Sequence, residues 1–242
     1  MGFLGFGWRA QALRERFYRP EFRGMYARFL ITILEFAGPD SVVLDAGCGS
    51  GRVFQHRLAG HVRRVVGIDV TDEPKENENL DDAAKGDLRA LPLRDATFDL
   101  IIVSHVAEHL SEPERVFAEL ARVLRPGGRL LVLTPNRWHY VTLSARLLPH
   151  WLHVVFNRWR GLDARDVFRT AYRANTAGRL RELSAGAGLS VERLEQFESE
   201  PEYLAFHIVP YALGVVYERV VNRFGFLAPL RVELLLVGRK KG

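Results

Sequence analysis

Val42-Val43-Leu44-Asp45 followed by Gly47-x-Gly49-x-Gly51 places a carboxylate at the end of a short apolar run and bare backbone directly after it. Glycines at that spacing permit a sharp strand-to-helix turn and let a ligand approach the main chain beside a helix N-terminus. Asp69 closes a second apolar run, where a carboxylate can accept two hydrogen bonds from a ribose diol. A glycine-rich turn and such an acid serve many adenosine ligands, but two residues argue against a dinucleotide. Arg52 stands where a dinucleotide fingerprint requires glycine, and Asp45 would sit badly beside a pyrophosphate. An acid there suits a ligand bearing ammonium and sulfonium charge, whose cations need acceptors once desolvated.

A parallel sheet is needed to hold these groups, and the hydrophobic pattern predicts one. Val42–Leu44 reads as a buried strand, residues 51–59 as a helix, and residues 65–70 as a second strand. The polar, acidic stretch 71–82 leaves room only for a short helix, and a third strand at 83–85 is weakly signalled. Residues 98–103 form a fourth strand. A helix over 114–124, ended by Arg125-Pro126-Gly127-Gly128, leads to a fifth strand at 129–134. A helix over 176–187 and strands at 189–197 and 232–237 complete the series, followed by a basic tail, Arg239-Lys240-Lys241. Ahead of the sheet, residues 9–37 read as one amphipathic helix, with Leu13, Phe17, Met25, Phe29, Ile33 and Phe36 at helical spacings. One domain over 1–242 is expected: a helical extension (1–37), a cofactor-binding core (38–135), a lid insertion (136–170), and a C-terminal half (171–242) carrying a second irregular apolar insertion (203–226).

From Val42 to Asn136 the chain resembles a class I S-adenosylmethionine-dependent methyltransferase of the small-molecule, ubiquinone-biosynthesis-like group. The resemblance rests on five matches in order: Val42-Val43-Leu44-Asp45-Ala46-Gly47-Cys48-Gly49-Ser50-Gly51; Val66-Gly67-Ile68-Asp69; Gly86-Asp87-Leu88-Arg89-Ala90-Leu91-Pro92; Phe98-Asp99-Leu100-Ile101 with Glu108-His109-Leu110; and Leu124-Arg125-Pro126-Gly127-Gly128. It implies a Rossmann-like, doubly wound α/β fold: a seven-stranded, mostly parallel sheet with helices on both faces and an antiparallel last strand. It also implies S-adenosylmethionine as cofactor and S-adenosylhomocysteine as product. Asp45, Gly47, Cys48 and Gly49 would hold the methionine moiety, and Asp69 the ribose. Asp87 would take the adenine amino group between Val70 and Leu88, and Ser104 would offer its carbonyl to the ammonium. His105 lies nearest the expected methyl group and is the candidate general base, whereas Glu108 and His109 have loop anchoring as an equal alternative. Methyl transfer can also proceed by positioning alone.

Acceptor choice falls to the segments 136–170 and 203–226, where aromatic density suggests an apolar or ring-bearing small molecule and His139, Tyr140 and His153 are the contact candidates. O-, N- and C-methylation stay open. A formal charge of +5 with scattered arginines and no long basic run speaks against a nucleic-acid partner. One cysteine, Cys48, excludes an internal disulfide framework and fits a cytoplasmic setting, and the first residues lack the pattern of a signal peptide. No acidic or histidine cluster has metal-ligand spacing, so no metal is expected. Residues 203–226, with Arg219 and Arg223, could touch a membrane surface, and either a monomer or a homodimer fits. A cofactor-binding regulator without turnover and, disfavoured by Arg52, a nicotinamide-dependent oxidoreductase stand as alternatives.

Overall fold

The computed structural model describes residues 8–18, 24–51, 58–147, 170–205 and 207–242. The chain forms two compact units, each assembled from separated segments: a sheet unit (Phe29–Thr134, Thr170–Glu195, Leu234–Gly242) and a helical unit (Met1–Arg28, Pro135–Arg169, Gln196–Glu233).

The sheet has seven strands: β1 (Val42–Ala46), β2 (Arg64–Asp69), β3 (Asp82–Lys85), β4 (Phe98–Ser104), β5 (Leu124–Pro135), β6 (Leu189–Phe197) and β7 (Glu233–Lys240), in the order β3-β2-β1-β4-β5-β7-β6. β1 pairs in parallel with β2 (Val43 opposite Val65) and with β4 (Val43 opposite Leu100), and β2–β3 and β4–β5 are parallel too. β7 runs the other way. Ser190 at the start of β6 bonds the carbonyl of Arg239 at the end of β7 (3.1 Å), and Lys240 reaches the carbonyl of Leu124 at the start of β5 (2.8 Å). The expected doubly wound, mostly parallel sheet with an antiparallel last strand is therefore what the chain builds. Strand order reverses between β1 and β4, which opens a crevice outside their carboxyl ends, where such folds bind ligands.

β4 is buried along almost its whole length, as a central strand covered on both faces must be. α3 (Pro113–Val123) starts with proline in its first turn, and its Val116, Phe117, Leu120 and Ala121 fall on one face, which is buried. Leu44, Ile68, Phe98, Ile101, Phe117, Leu120 and Leu130 share one continuous core. The helix over Ala177–Gly186, α5, is capped by Thr176, whose hydroxyl accepts from Arg179 N (3.1 Å). Asp99 of the Phe-Asp motif accepts from Val42 N (2.8 Å) and Arg125 (2.8 Å), tying β1, β4 and β5 at their starts.

Three expectations change. The N-terminal helix is two in the described residues, α1 (Trp8–Phe17) and α2 (Gly24–Phe36), the second opening on Gly24 with a φ of 84°, outside the helical region. The expected helix over 51–59 falls largely outside the described residues. Arg239 and Lys240 of the basic tail belong to β7, and Lys240 donates to the carbonyls of Ala121 (2.6 Å) and Leu124 at the end of α3, a favourable place for a cation. Finally, the supposedly irregular segment 203–226 contains a 16-residue helix, α6 (Ile208–Arg223). Pro210 stands in its first turn, where the missing N–H would lack a helical partner in any case, and His207 caps it by accepting from Val209 N.

Within the helical unit, polar groups are buried in pairs. Glu200 takes Arg14 (2.7 Å) and the Tyr211 hydroxyl (2.9 Å), and Glu218 takes Tyr18 (3.3 Å) and Asn222 (2.8 Å). Residue Tyr140 begins α4 (Tyr140–Leu147).

Candidate functional site

The glycine turn after β1 is held from three sides. Gly47 N and Cys48 N both donate to Ile68 O (2.7 and 3.3 Å), and Gly49 N donates to Asp69 Oδ2 (3.1 Å). Asn77, buried in the segment after β2, donates to Cys48 O (3.3 Å). Gly47, Gly49 and Gly51 all have positive φ (81°, 49° and 71°), which side-chain-bearing residues seldom adopt. Their reasons for being bare differ. A Cβ on Gly47 would strike both methyl groups of Val106, the farther at 3.0 Å, and one on Gly51 would strike the Asn77 amide. At Gly49 the nearest atom would be Glu73 Oε2 at 3.6 Å, so this backbone alone of the three lies open to a ligand. Asn77 had no visible role in the sequence. It stands in a polar stretch where, as expected, only a short 3₁₀ turn (Glu73–Glu76) forms.

Asp45 and Asp69 face the same turn, and neither pairs with a cationic side chain among the described residues. Burial, reinforced by the charge of Asp69, pushes the Asp45 carboxyl up to about 7. Asp69 keeps both oxygens occupied: beside Gly49 N, Oδ1 accepts from Thr71 N and Thr71 Oγ1, both 2.9 Å. Cys48 packs its sulfur over Gly67, where a Cβ would come within 2.7 Å. Burial raises its thiol well above the ordinary range, so it is no nucleophile at neutral pH.

On the neighbouring strand ends, Val70 is 63% exposed while Leu88 is buried. The Asp87 carboxylate is already gripped by Arg89, through its backbone N (2.8 Å) and guanidinium (2.6 Å), and these bonds hold its pKa below the usual carboxylate range. At the end of β4, the Ser104 hydroxyl is buried with no hydrogen-bond partner among the described residues. His105 follows in the left-handed region (φ 52°), an unusual conformation for a side-chain-bearing residue and one that gathers at functional sites. Burial, then the nearby His109, lowers His105 to about 4, so it is neutral at pH 7. Glu108 Oε1 lies 3.7 Å from His105 Nδ1; its other oxygen accepts from Thr134 (3.1 Å), which Asn175 bonds in turn (2.7 Å). Burial pushes Glu108 up to about 7. The Glu108 backbone carbonyl also accepts from Ala171 N (2.7 Å) and Tyr172 N (3.0 Å), so the residue both anchors a loop and titrates near neutrality.

Of the acceptor candidates, His139 and Tyr140 belong to the helical unit and His153 lies outside the described residues. His139 is 1% exposed, with Nε2 3.3 Å from buried Glu198 and its ring against Tyr140 (4.1 Å). The chemistry of the sheet-unit groups fits a cationic adenosine ligand: an open glycine backbone and, among the described residues, two carboxylates without a cation and an unpartnered hydroxyl at the crevice.

Comparison with known proteins agrees. Residues 44–132 match the model of a methyltransferase domain. A protein of Mycolicibacterium smegmatis described as a probable S-adenosylmethionine-dependent methyltransferase is 41% identical over 105 residues, covering 42% of this chain and 40% of that protein. The malonyl-[acyl-carrier protein] O-methyltransferase of Erwinia billingiae is 36% identical over 127 residues, half of each chain. Thus the chain spans half or less of the length of these curated relatives. The crystal structure of an S-adenosylmethionine-dependent methyltransferase from Mesorhizobium loti superposes with a TM-score of 0.60 at 17% identity, over 90% of this chain and 99% of that one, which shows a shared fold. Residues 44–132 thus resemble the methyltransferase domain of S-adenosylmethionine-dependent enzymes, in sequence and in fold.

Proposed function

We propose that the chain transfers a methyl group from S-adenosylmethionine to a small, apolar or aromatic-bearing acceptor. The observation that carries this reading is the pair Asp45 and Asp69 at the glycine turn, two carboxylates without a cationic partner among the described residues. Bound there, the cofactor would supply an electrophilic methyl group on a sulfonium. Asp45 and the Ser104 carbonyl would hold its ammonium end, Asp69 its ribose, and Gly49 would let it approach the backbone. Asp87, Val70 and Leu88 would receive the adenine.

Calorimetric titration with S-adenosylmethionine tests this. Because Asp45 sits near pKa 7 when free and a bound cation favours its ionised form, binding should release protons, and affinity should climb as pH rises from 6 to 8. Asp45→Asn should flatten that climb and weaken binding about tenfold. The sign on stability is opposite. A carboxyl whose folded pKa is raised stabilises the fold below its unfolded pKa and loses that contribution as pH rises through about 7. At pH 8, Asp45→Asn should therefore make the cofactor-free protein more stable, by on the order of 1–2 kcal/mol. Affinity that is absent, or independent of pH in the parent, would defeat the assignment of Asp45. Binding without methyl turnover on any acceptor offered, a malonyl thioester among them, would favour a regulator.

Where the acceptor must lose a proton, neutral His105 takes it and Glu108 positions and compensates the resulting imidazolium. At saturating cofactor, kcat should rise through the Glu108 pKa of about 7. Glu108→Gln should remove that limb and lower kcat by roughly 10- to 100-fold, at the modest end of general-base effects. A variant with an unchanged pH profile would leave Glu108 as a loop anchor.

A further inference from the structure

α6 is apolar on both sides. Its inner face buries Tyr211, Gly214, Val215 and Val221. A helix buried on one face normally turns polar residues outward. Here the outward row is Val209, Leu213, Val216 and Val220, which are 58%, 65%, 60% and 42% exposed and spaced by four, three and four residues, so that they form one stripe. Phe224 and Phe226, also exposed and in tilted ring contact at 5.8 Å, follow just past the helix end.

Arg219 and Arg223 border the stripe, each three residues beyond one of its members. Arg219 is turned towards α1: it pairs with Glu218 Oε2 (3.3 Å) and donates to Phe17 O (3.3 Å), whereas Arg223 lies over the Phe224 ring (6.0 Å) at the exposed border. The helix has one acid, Glu218, and it is buried on the inner face, bonded to Tyr18, Asn222 and Arg219. The exposed face of the helix is thus an apolar band with Arg223 at its border and no carboxylate.

We infer that this face of α6 docks on an anionic lipid surface, the valines and leucine entering the interface while Arg223 meets lipid phosphates. No helix among the described residues is long and apolar enough to cross a membrane, so the contact is peripheral. A second copy of the chain is the poorer match: two such faces packed together would bring Arg223 of both copies to one interface with no carboxylate on the exposed face of either helix to pair them. The inference is independent of the methyltransferase reading.

The test is cosedimentation of the full chain with phosphatidylcholine vesicles, with and without phosphatidylglycerol. Binding to the anionic vesicles should exceed binding to phosphatidylcholine alone by about tenfold and fall as salt is raised. Leu213→Glu with Val216→Glu should lower it by about tenfold, and Arg223→Gln should weaken the preference for anionic lipid. All three sites are exposed, and circular dichroism and S-adenosylmethionine titration of each variant should match the parent. Should the double glutamate variant melt early, Leu213→Gln alone serves as the second probe, with a smaller loss of the same sign. Equal sedimentation with and without vesicles overturns the inference. So does vesicle binding that the face variants leave intact. A parent that dimerises, with the dimer rather than lipid binding lost in the glutamate variant, assigns the face to self-association instead. A variant that loses vesicle binding yet keeps cofactor affinity separates this inference from the cofactor site.

Discussion

Asp69→Ala is expected to weaken S-adenosylmethionine binding by roughly 1.5–3 kcal/mol, about 10- to 150-fold, the range for hydrogen bonds to a charged group. The loss has two parts. The ribose hydroxyls lose their acceptor, and so do Gly49 N, Thr71 N and Thr71 Oγ1, which the carboxylate now gathers at the turn. Asp69 also raises the Asp45 pKa through its charge, so removing it should move the midpoint of the pH dependence of binding to lower pH. This shift distinguishes a direct electrostatic partnership from general damage to the turn, which would lower affinity without moving the midpoint. Calorimetry at several pH values reads both. Unchanged affinity would place the ribose elsewhere.

Gly47→Ala is expected to destabilise the fold by roughly 2–4 kcal/mol, the sum of a left-handed conformation forced on alanine and a clash in a packed site. Val106, whose methyl groups would meet the new Cβ, is β-branched and has little rotamer freedom with which to retreat. Gly49→Ala makes the paired control. Its φ is also positive, but its Cβ would meet nothing closer than 3.6 Å, so about 1 kcal/mol of conformational cost is expected, together with lost cofactor affinity on the open side. Urea unfolding of the two variants should therefore rank them Gly47→Ala well below Gly49→Ala. The reverse order would mean that Val106 yields and that the turn, not the loop after β4, dictates glycine at position 47.

The strands were legible wherever burial follows local pattern. β6 falls on residues 189–197 as expected, and β4 and α3 are each within one residue of expectation at either end. α6 was obscured because its inner and outer faces are both apolar, which removes the amphipathic period, and because Pro210 reads as a breaker until its place in the first turn is known. Lys240 reads as part of a basic tail because nothing local announces that it meets the carbonyls at the end of α3.

The sequence by itself determined the strand, acid and glycine turn at 42–51, the second acid at Asp69 and the resemblance to methyltransferases that they carry, since these depend on neighbouring residues and on which of them tolerate a positive φ. Only the tertiary structure decided what each group does there. Asn77 supports the turn, Gly47 yields space to Val106 while Gly49 stays open, and burial keeps His105 neutral and brings Glu108 and Asp45 to about 7. Contacts between residues far apart in the chain, and the loss of water around a charge, arise only when the strands pack, so the order of residues alone does not carry them.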